Sequence, residues 1–318
     1  SPYIRREAVS SSKIEGTQSS MSDLFIYEAS ARKVSRFSDT QEVHNYVSTM
    51  AEGVKLLQEL PISTRFICNL HKTLLEGVRG EHGTPGELRQ SQNWIGPPGC
   101  MLNDAAYVPP PLEELGNVLG EWEKYVNSAP NEQMLLQAAL MHYQFEAIHP
   151  FIDGNGRIGR LLVTLFLMQK GLLSHPLLYL SEFFEKHRQD YYRLLLAVSQ
   201  KGAWEEWCKF FFRGVIQMSE DALENSILLL ELHDIYCEKL HDAKRVPEIT
   251  HRLLDEIFMS PVISISNLSR KWETAYTSVK AGVVALEKLG ILKEITGRGR
   301  GRMYASPEVM FFLTGESI

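Results

Sequence analysis

Apolar residues recur at three- and four-residue spacing over most of the first 240 positions, as in Val43, Tyr46, Val47, Met50, Val54 and Leu57, and this period predicts amphipathic helix. The same spacing runs through 63–78, 112–127, 131–148, 156–171, 187–199 and 203–240, so this part of the chain reads as a helical domain. Residues 79–111 interrupt it with Gly80, Gly83, Pro85, Gly86, Gly96, Pro97, Pro98, Gly99 and Pro109 to Pro111, the punctuation of turns. Inside that stretch 91–95 and 106–108 are short β-capable pieces, which predicts a small hairpin over about 90–110, with a plain surface loop as the alternative.

Beyond residue 245 the texture changes. Helix over 246–259, a short helix over 265–271, a third over 274–289, and apolar residues alternating with basic ones around Gly297, Gly299 and Gly301 make the order of a winged helix-turn-helix. The expected fold is therefore mainly α, with a helical domain over 1–240 and a winged-helix domain over 246–305.

A length of 318 residues fits two domains. With 44% hydrophobic and 23% charged residues the chain is neither disordered nor fibrous. The net charge of −6 is unevenly spread: 246–305 hold nine Lys/Arg against six Asp/Glu, a weakly basic unit on an acidic body. Cys68, Cys100, Cys208 and Cys237 form no C-x-x-C pair, so neither a zinc site nor a disulfide framework is expected, and a reducing cytoplasm fits best. No apolar run approaches the roughly 20 residues that span a bilayer, and no signal peptide opens the chain, so no membrane partner is expected. Ser1 stands where a methionine would, so an upstream segment is expected to be missing.

The chemistry concentrates in one segment. The apolar pattern of 134–148 stops at His149-Pro150, where proline disfavours helix in the preceding residue, and it resumes after Gly156. Gly154 and Gly156 flank Asn155 and let successive N–H groups converge at a helix start, an anion nest suited to phosphate. Arg157 and Arg160 lie three apart on one face and can grip phosphate oxygens bidentately. Asp153 offers a carboxylate for the Mg²⁺ that accompanies a nucleoside triphosphate, or a mere helix cap, and His149 offers a base titrating near neutrality.

The run His149-Pro-Phe-Ile-Asp-Gly-Asn-Gly-Arg-Ile-Gly-Arg160 resembles the Fic motif H-P-F-x-[D/E]-G-N-G-R-x-x-R at every defined position. Leu70 to Gly77, Thr84 to Arg89, Ser91 to Gly96 and Tyr107 to Pro110 are similar to the stretch that precedes this motif in Fic proteins. The resemblance implies a Fic helical bundle with a β-hairpin flap, and a protein adenylyltransferase that moves AMP from ATP to a hydroxyl of a target protein. It implies His149 as the base on the target hydroxyl, Asp153 as the Mg²⁺ ligand, and Gly154, Asn155, Gly156, Arg157, Ile158, Gly159 and Arg160 as the nucleotide-binding run. Arg160 falls nearest the γ-phosphate. Tyr192 is expected at adenine or ribose, or else straddling core and surface.

Near the start, Ser11-Ser-Lys-Ile-Glu15-Gly16 resembles the inhibitory motif [S/T]-x-x-x-E-[G/N] of regulated Fic proteins, on a helix over about 8–18. Ser11 and Glu15 stand one turn apart, and Glu15 would occupy Arg160 and intrude on the nucleotide site. Charge pairs of that kind are worth a few kcal/mol, enough for repression by orders of magnitude. The flap around Tyr107-Val-Pro-Pro110 is expected to dock an extended target segment by strand addition. Self-modification and a homodimer are compatible with this reading. Alternatives are Fic-type transfer of UMP, phosphocholine or phosphate, and a nucleotide-sensing transcription regulator. In the latter, Lys280, Arg298, Arg300 and Arg302 meet DNA, whereas Trp272 and Tyr276 suit a protein partner.

Overall fold

The computed structural model describes residues 1–30, 39–97, 99–129, 133–243, 245–297 and 301–315. They form two compact units, one of Arg6–Gln18 and Arg36–Ser219, the other of Ser1–Arg5, Ser19–Ser35 and Glu220–Ile318. This division differs from the expected 1–240 and 246–305, because two N-terminal pieces join the C-terminal part and the break falls within a long helix.

The larger unit is helical. It contains most of α1 (Pro2–Ile14), then α3 (Asp39–Leu56), α4 (Thr64–Leu74), α5 (Leu112–Asn127), α6 (Met134–Ile148), α7 (Asn155–Gln169), α8 (Leu180–Lys186), α9 (Arg188–Lys201) and the start of α10 (Trp204–Asp242). Helix α7 lies at its centre: Arg157 to Leu167 are all buried, and α3, α4 and α6 pack around it. Such closeness requires small residues. A Cβ on Gly159 would meet Phe145 and Glu146 of α6, and one on Gly53 would meet Leu165 at 2.6 Å.

The predicted inhibitory helix over 8–18 is the end of a longer helix. It stops at Gly16, whose φ of +95° an L side chain rarely tolerates. Gly16 N–H bonds Lys13 O (3.0 Å) and Thr17 N–H bonds Ser12 O (3.1 Å), the paired bonds of a Schellman cap. The expected hairpin over 90–110 contracts to one antiparallel bridge, Ile95 with Tyr107, beside a short 3₁₀ turn at Leu102–Asp104. Pro97 on one side and Pro109 and Pro110 on the other have no N–H to extend the ladder.

In the smaller unit the order is the end of α10, α11 (Ile249–Met259), β1 (Val262–Ser264), α12 (Ile265–Lys271), α13 (Tyr276–Lys288), β2 (Lys293–Glu294), β3 (Met303–Ala305) and α14 (Pro307–Thr314). The strands pair antiparallel in the order β1-β3-β2, with Val262 and Lys293 both opposite Ala305. Helix α2 (Met21–Ala29), started by a capping box of Ser20 and Asp23, packs on β1 and α14, and Ala29 O accepts Asn267 Nδ2 at 2.7 Å. Gly282 lets α13 approach Leu253 and Ile249 of α11. Arg298 and Arg300 lie outside the described residues. Among those described, Arg302 faces Glu294 at 3.4 Å, Lys280 is exposed, and Trp272 stacks under Arg252 at 4.3 Å. No helix among the described residues is long and apolar enough to cross a membrane.

Candidate active site

The loop between α6 and α7 is held by its own side chains and by neighbours far away in sequence. His149 closes α6 in the left-handed region (φ 50°, ψ 60°) and Gly154 opens α7 at φ 79°, so the chain reverses over few residues. Asn155 is buried and clamps the turn, accepting Phe151 N–H at 2.9 Å and donating to Phe151 O at 2.8 Å. Its side chain is committed there, so what it can offer an anion is its backbone N–H. The first N–H groups of α7 have no carbonyl a turn earlier to bind, and they point out of the helix start.

His149 has one ring nitrogen engaged. Nδ1 donates to Glu146 O at 3.2 Å, which leaves Nε2 as the acceptor. Burial drives its pKa down to about 4, so the ring is neutral at physiological pH. Its carbonyl accepts Arg89 Nε (3.2 Å) and Asn93 Nδ2 (3.3 Å), and Asn93 also donates to Phe151 O (2.9 Å). Arg89 is itself buried and donates to Pro110 O, tying the flap segment to the loop. On the other side His71 stacks on Phe151 at 3.9 Å, accepts Gly86 N–H at Nδ1 (2.9 Å) and donates from Nε2 to Asp153 O (3.0 Å).

Arg160 is fully buried, its side chain 1% exposed, and its guanidinium meets α1. Nε donates to Ser11 Oγ (2.9 Å), while Nη2 donates to Ser11 O (3.0 Å) and to Glu15 Oε1 (2.6 Å). Glu15 is 34% exposed. Burial would raise its pKa, but the charge and hydrogen bond of Arg160, with the Arg157 charge added, together hold the carboxyl below its usual value. The same carboxylate stands over the start of α7, because a Cβ on Gly156 would collide with Glu15 Oε1 and meet Arg160 Nη1 at 2.8 Å. Arg157 is buried as well, with Nη1 3.4 Å from Glu42 and Nη2 3.4 Å from Asp153, while its Nε lacks a partner. The Asp153 carboxylate is 45% exposed, its Oδ1 accepting Gly154 N–H, and Gly80 leaves room for its Oδ2.

A cavity of about 600 Å³ opens above this loop. It brings together five of the residues expected from sequence, Glu15, His149, Gly156, Arg160 and Tyr192. Tyr192 is 42% exposed on its wall, near Leu195, Leu196, Tyr143 and the Trp94 to Pro97 turn. Ser11 acts through Arg160, and Gly16 shapes the helix end. Asp153, Gly154, Asn155, Arg157, Ile158 and Gly159 are not among the cavity's lining residues; Ile158 is a core side chain, and Gly159 gives its carbonyl to buried His142 (3.0 Å) and its surface to α6.

Sequence reasoning missed Glu146, which lines the cavity with a buried oxygen that has no partner. Burial pushes its carboxyl up to about 7, against the opposing pull of Arg160. Its position one turn before His149 was the available signal. Roles for Arg89, Asn93 and His71 were also missed, since nothing local ties them to a loop 56 or more residues away.

Residues 61–167 match the model of the Fic/DOC family, and residues 1–55 match the Fic/DOC family N-terminal model. Protein adenylyltransferase Fic of Drosophila ananassae is 35% identical over 135 residues, 40% of this chain and 25% of that protein. The same protein of Drosophila grimshawi is also 35% identical, over 26% of its length. The chain thus spans about a quarter of the curated relatives it matches. Among solved structures, a Fic family protein from Desulfovibrio desulfuricans G20 superposes with a TM-score of 0.60 at 18% identity, covering 96% of this chain and 86% of that one. A Fic domain containing signaling protein from Bacteroides thetaiotaomicron gives 0.57 at 19%, covering 70% and 86%. At these identities the likeness is one of fold.

Proposed function

Because the chain carries a Fic/DOC domain preceded by the family's N-terminal region, we propose that it is a protein adenylyltransferase transferring AMP from ATP to a side-chain hydroxyl of a target protein. The supporting observation is that a neutral histidine with a free Nε2, the N–H groups of a helix start and a buried arginine face one cavity of nucleotide size. His149 Nε2 takes the proton of the incoming hydroxyl, whose oxygen attacks the α-phosphorus, and pyrophosphate leaves. The α7 N-terminus holds the phosphates, while Arg157 and Arg160 neutralise their outer charge.

Asp153 suits Mg²⁺ on the ground that a half-exposed carboxylate beside an anion nest is what this ion accepts when phosphate oxygens complete its shell. When bound, the ion would screen the phosphates. Glu15 would hold Arg160 away from the γ-phosphate, and its carboxylate over the start of α7 supports reading this helix end as an inhibitory element. The helix-strand-helix-helix-strand-strand order from α11 to β3 supports reading the C-terminal part as a winged helix, with exposed Lys280 and Tyr276 on its third helix for a DNA or protein partner.

The test is AMP incorporation from labelled ATP in a Glu15→Gly background. Glu15→Gly is expected to raise incorporation and His149→Ala to abolish it, with ATP binding retained. Undiminished transfer by the His149→Ala protein would refute the assignment.

A further inference from the structure

Outside the cavity, α1 buries a second carboxylate. Glu7 lies four residues before Ser11 and eight before Glu15, so the three share one face, yet Glu7 is only 2% exposed and points inward. Its Oε2 accepts Ser181 N–H at 2.9 Å, and its Oε1 accepts the hydroxyls of Ser181 and of Tyr46, the latter at 3.1 Å. Tyr46 is fully buried, and one turn further along α1 the Ser11 oxygen accepts Arg160 Nε at 2.9 Å.

An ionised carboxylate offers only acceptors, so the Tyr46 hydroxyl and the Ser181 N–H and hydroxyl all donate to Glu7, and three bonds from two other segments fix α1 one turn before Ser11. Burial raises the Glu7 carboxyl to about 6, which leaves it mostly ionised at pH 7 and above. Docking of α1 does not need this charge, since Ala8, Val9 and Ile14 already bury an apolar face. A buried carboxylate is a costly way to add adhesion, but a good way to fix orientation.

We propose that Glu7 is the positioning residue of the inhibitory helix: through Tyr46 and Ser181 it fixes the helix one turn before Ser11, and so sets how firmly Ser11 and Glu15 hold the Arg160 guanidinium. The proposal rests on the autoinhibitory reading of Glu15 and adds a control point that touches neither nucleotide nor Arg160. Glu7→Gln keeps the volume but sets an amide where the Tyr46 and Ser181 donors meet a carboxylate, so the anchor is weakened. Tyr46→Phe removes one of the three bonds to Glu7 and keeps the ring.

The experiment compares wild type, Glu7→Gln, Tyr46→Phe, Glu15→Gly and the Glu7→Gln/Glu15→Gly pair. It measures kcat and KM for AMP incorporation from labelled ATP, together with hydrogen exchange at residues 6–15. Glu7→Gln and Tyr46→Phe are each expected to raise kcat/KM about tenfold, the loss of roughly one charge-assisted hydrogen bond, and to speed exchange at 6–15 but not at 155–169. In the Glu15→Gly background Glu7→Gln should add nothing, because the hold it strengthens is already gone. If Glu15→Gly gains activity while Glu7→Gln and Tyr46→Phe stay level or lose it, Glu7 is only a structural group and the proposal is overturned. If Glu15→Gly gains nothing, autoinhibition itself falls and the proposal with it.

Discussion

At the scale of single residues, the site depends on which groups are neutral. His149 loses its usual titration because burial outweighs the backbone carbonyl and the nearby carboxylates that favour the charged ring, and its pKa falls to about 4. Nearby Glu15 is among the groups pulling that value upward, so removing Glu15 moves it lower still. A base works when deprotonated, so the acid limb of kcat/KM for Glu15→Gly protein should lie well below 6.5, with activity nearly level from pH 8 to 6. A limb centred at 6.5 or above, measured with labelled ATP at constant ionic strength, would contradict this. Glu146, its carboxyl at about 7, would then be the group to replace first.

At the scale of elements, the segment over 90–110 owes its position less to strand pairing than to anchors. One bridge, the Arg89 fork and the bond from Tyr107 Oη to Ala147 O (3.0 Å) hold it beside the cavity. An extended partner strand would add beside that bridge. Replacing 94–108 by a Gly/Ser loop, with Arg89 and Asn93 kept, should abolish modification of a target protein and leave ATP binding within about threefold. Persistence of target modification would exclude strand addition here.

For the whole molecule, the two units predict separate stability. Leu253 is fully buried against Gly282 in the smaller unit, and truncating such a leucine costs about 2–5 kcal/mol. Leu253→Ala should therefore speed hydrogen exchange in α11 to α14, and equally in α2 over 21–29, because α2 packs on β1 and α14. Helices α6 and α7 should be unaffected. Unchanged exchange in α2, or acceleration throughout the chain, would be inconsistent with the division.

Local sequence carried a great deal of this protein. Period 3.6 was enough to locate α3 to α7, α9 and α10, since each is a long amphipathic or fully buried run with strong signals at its ends. Short α8 and α14 escaped because aromatic and apolar residues surround them without a period, and α2 because its capping box stands before a run that is nearly apolar throughout. The turn from His149 to Gly156 was legible because its constraints are local: proline, two glycines and an asparagine that bonds its own loop. Only the tertiary structure decided that Arg160 meets Ser11 and Glu15 across about 145 residues, that Glu7 lies behind them, and that Arg89, Asn93 and His71 brace the loop. Such pairings depend on which surfaces the packed helices bring together. Burial, which sets the charge of His149 and Glu146, is a property of the packed molecule that no spacing along the chain encodes.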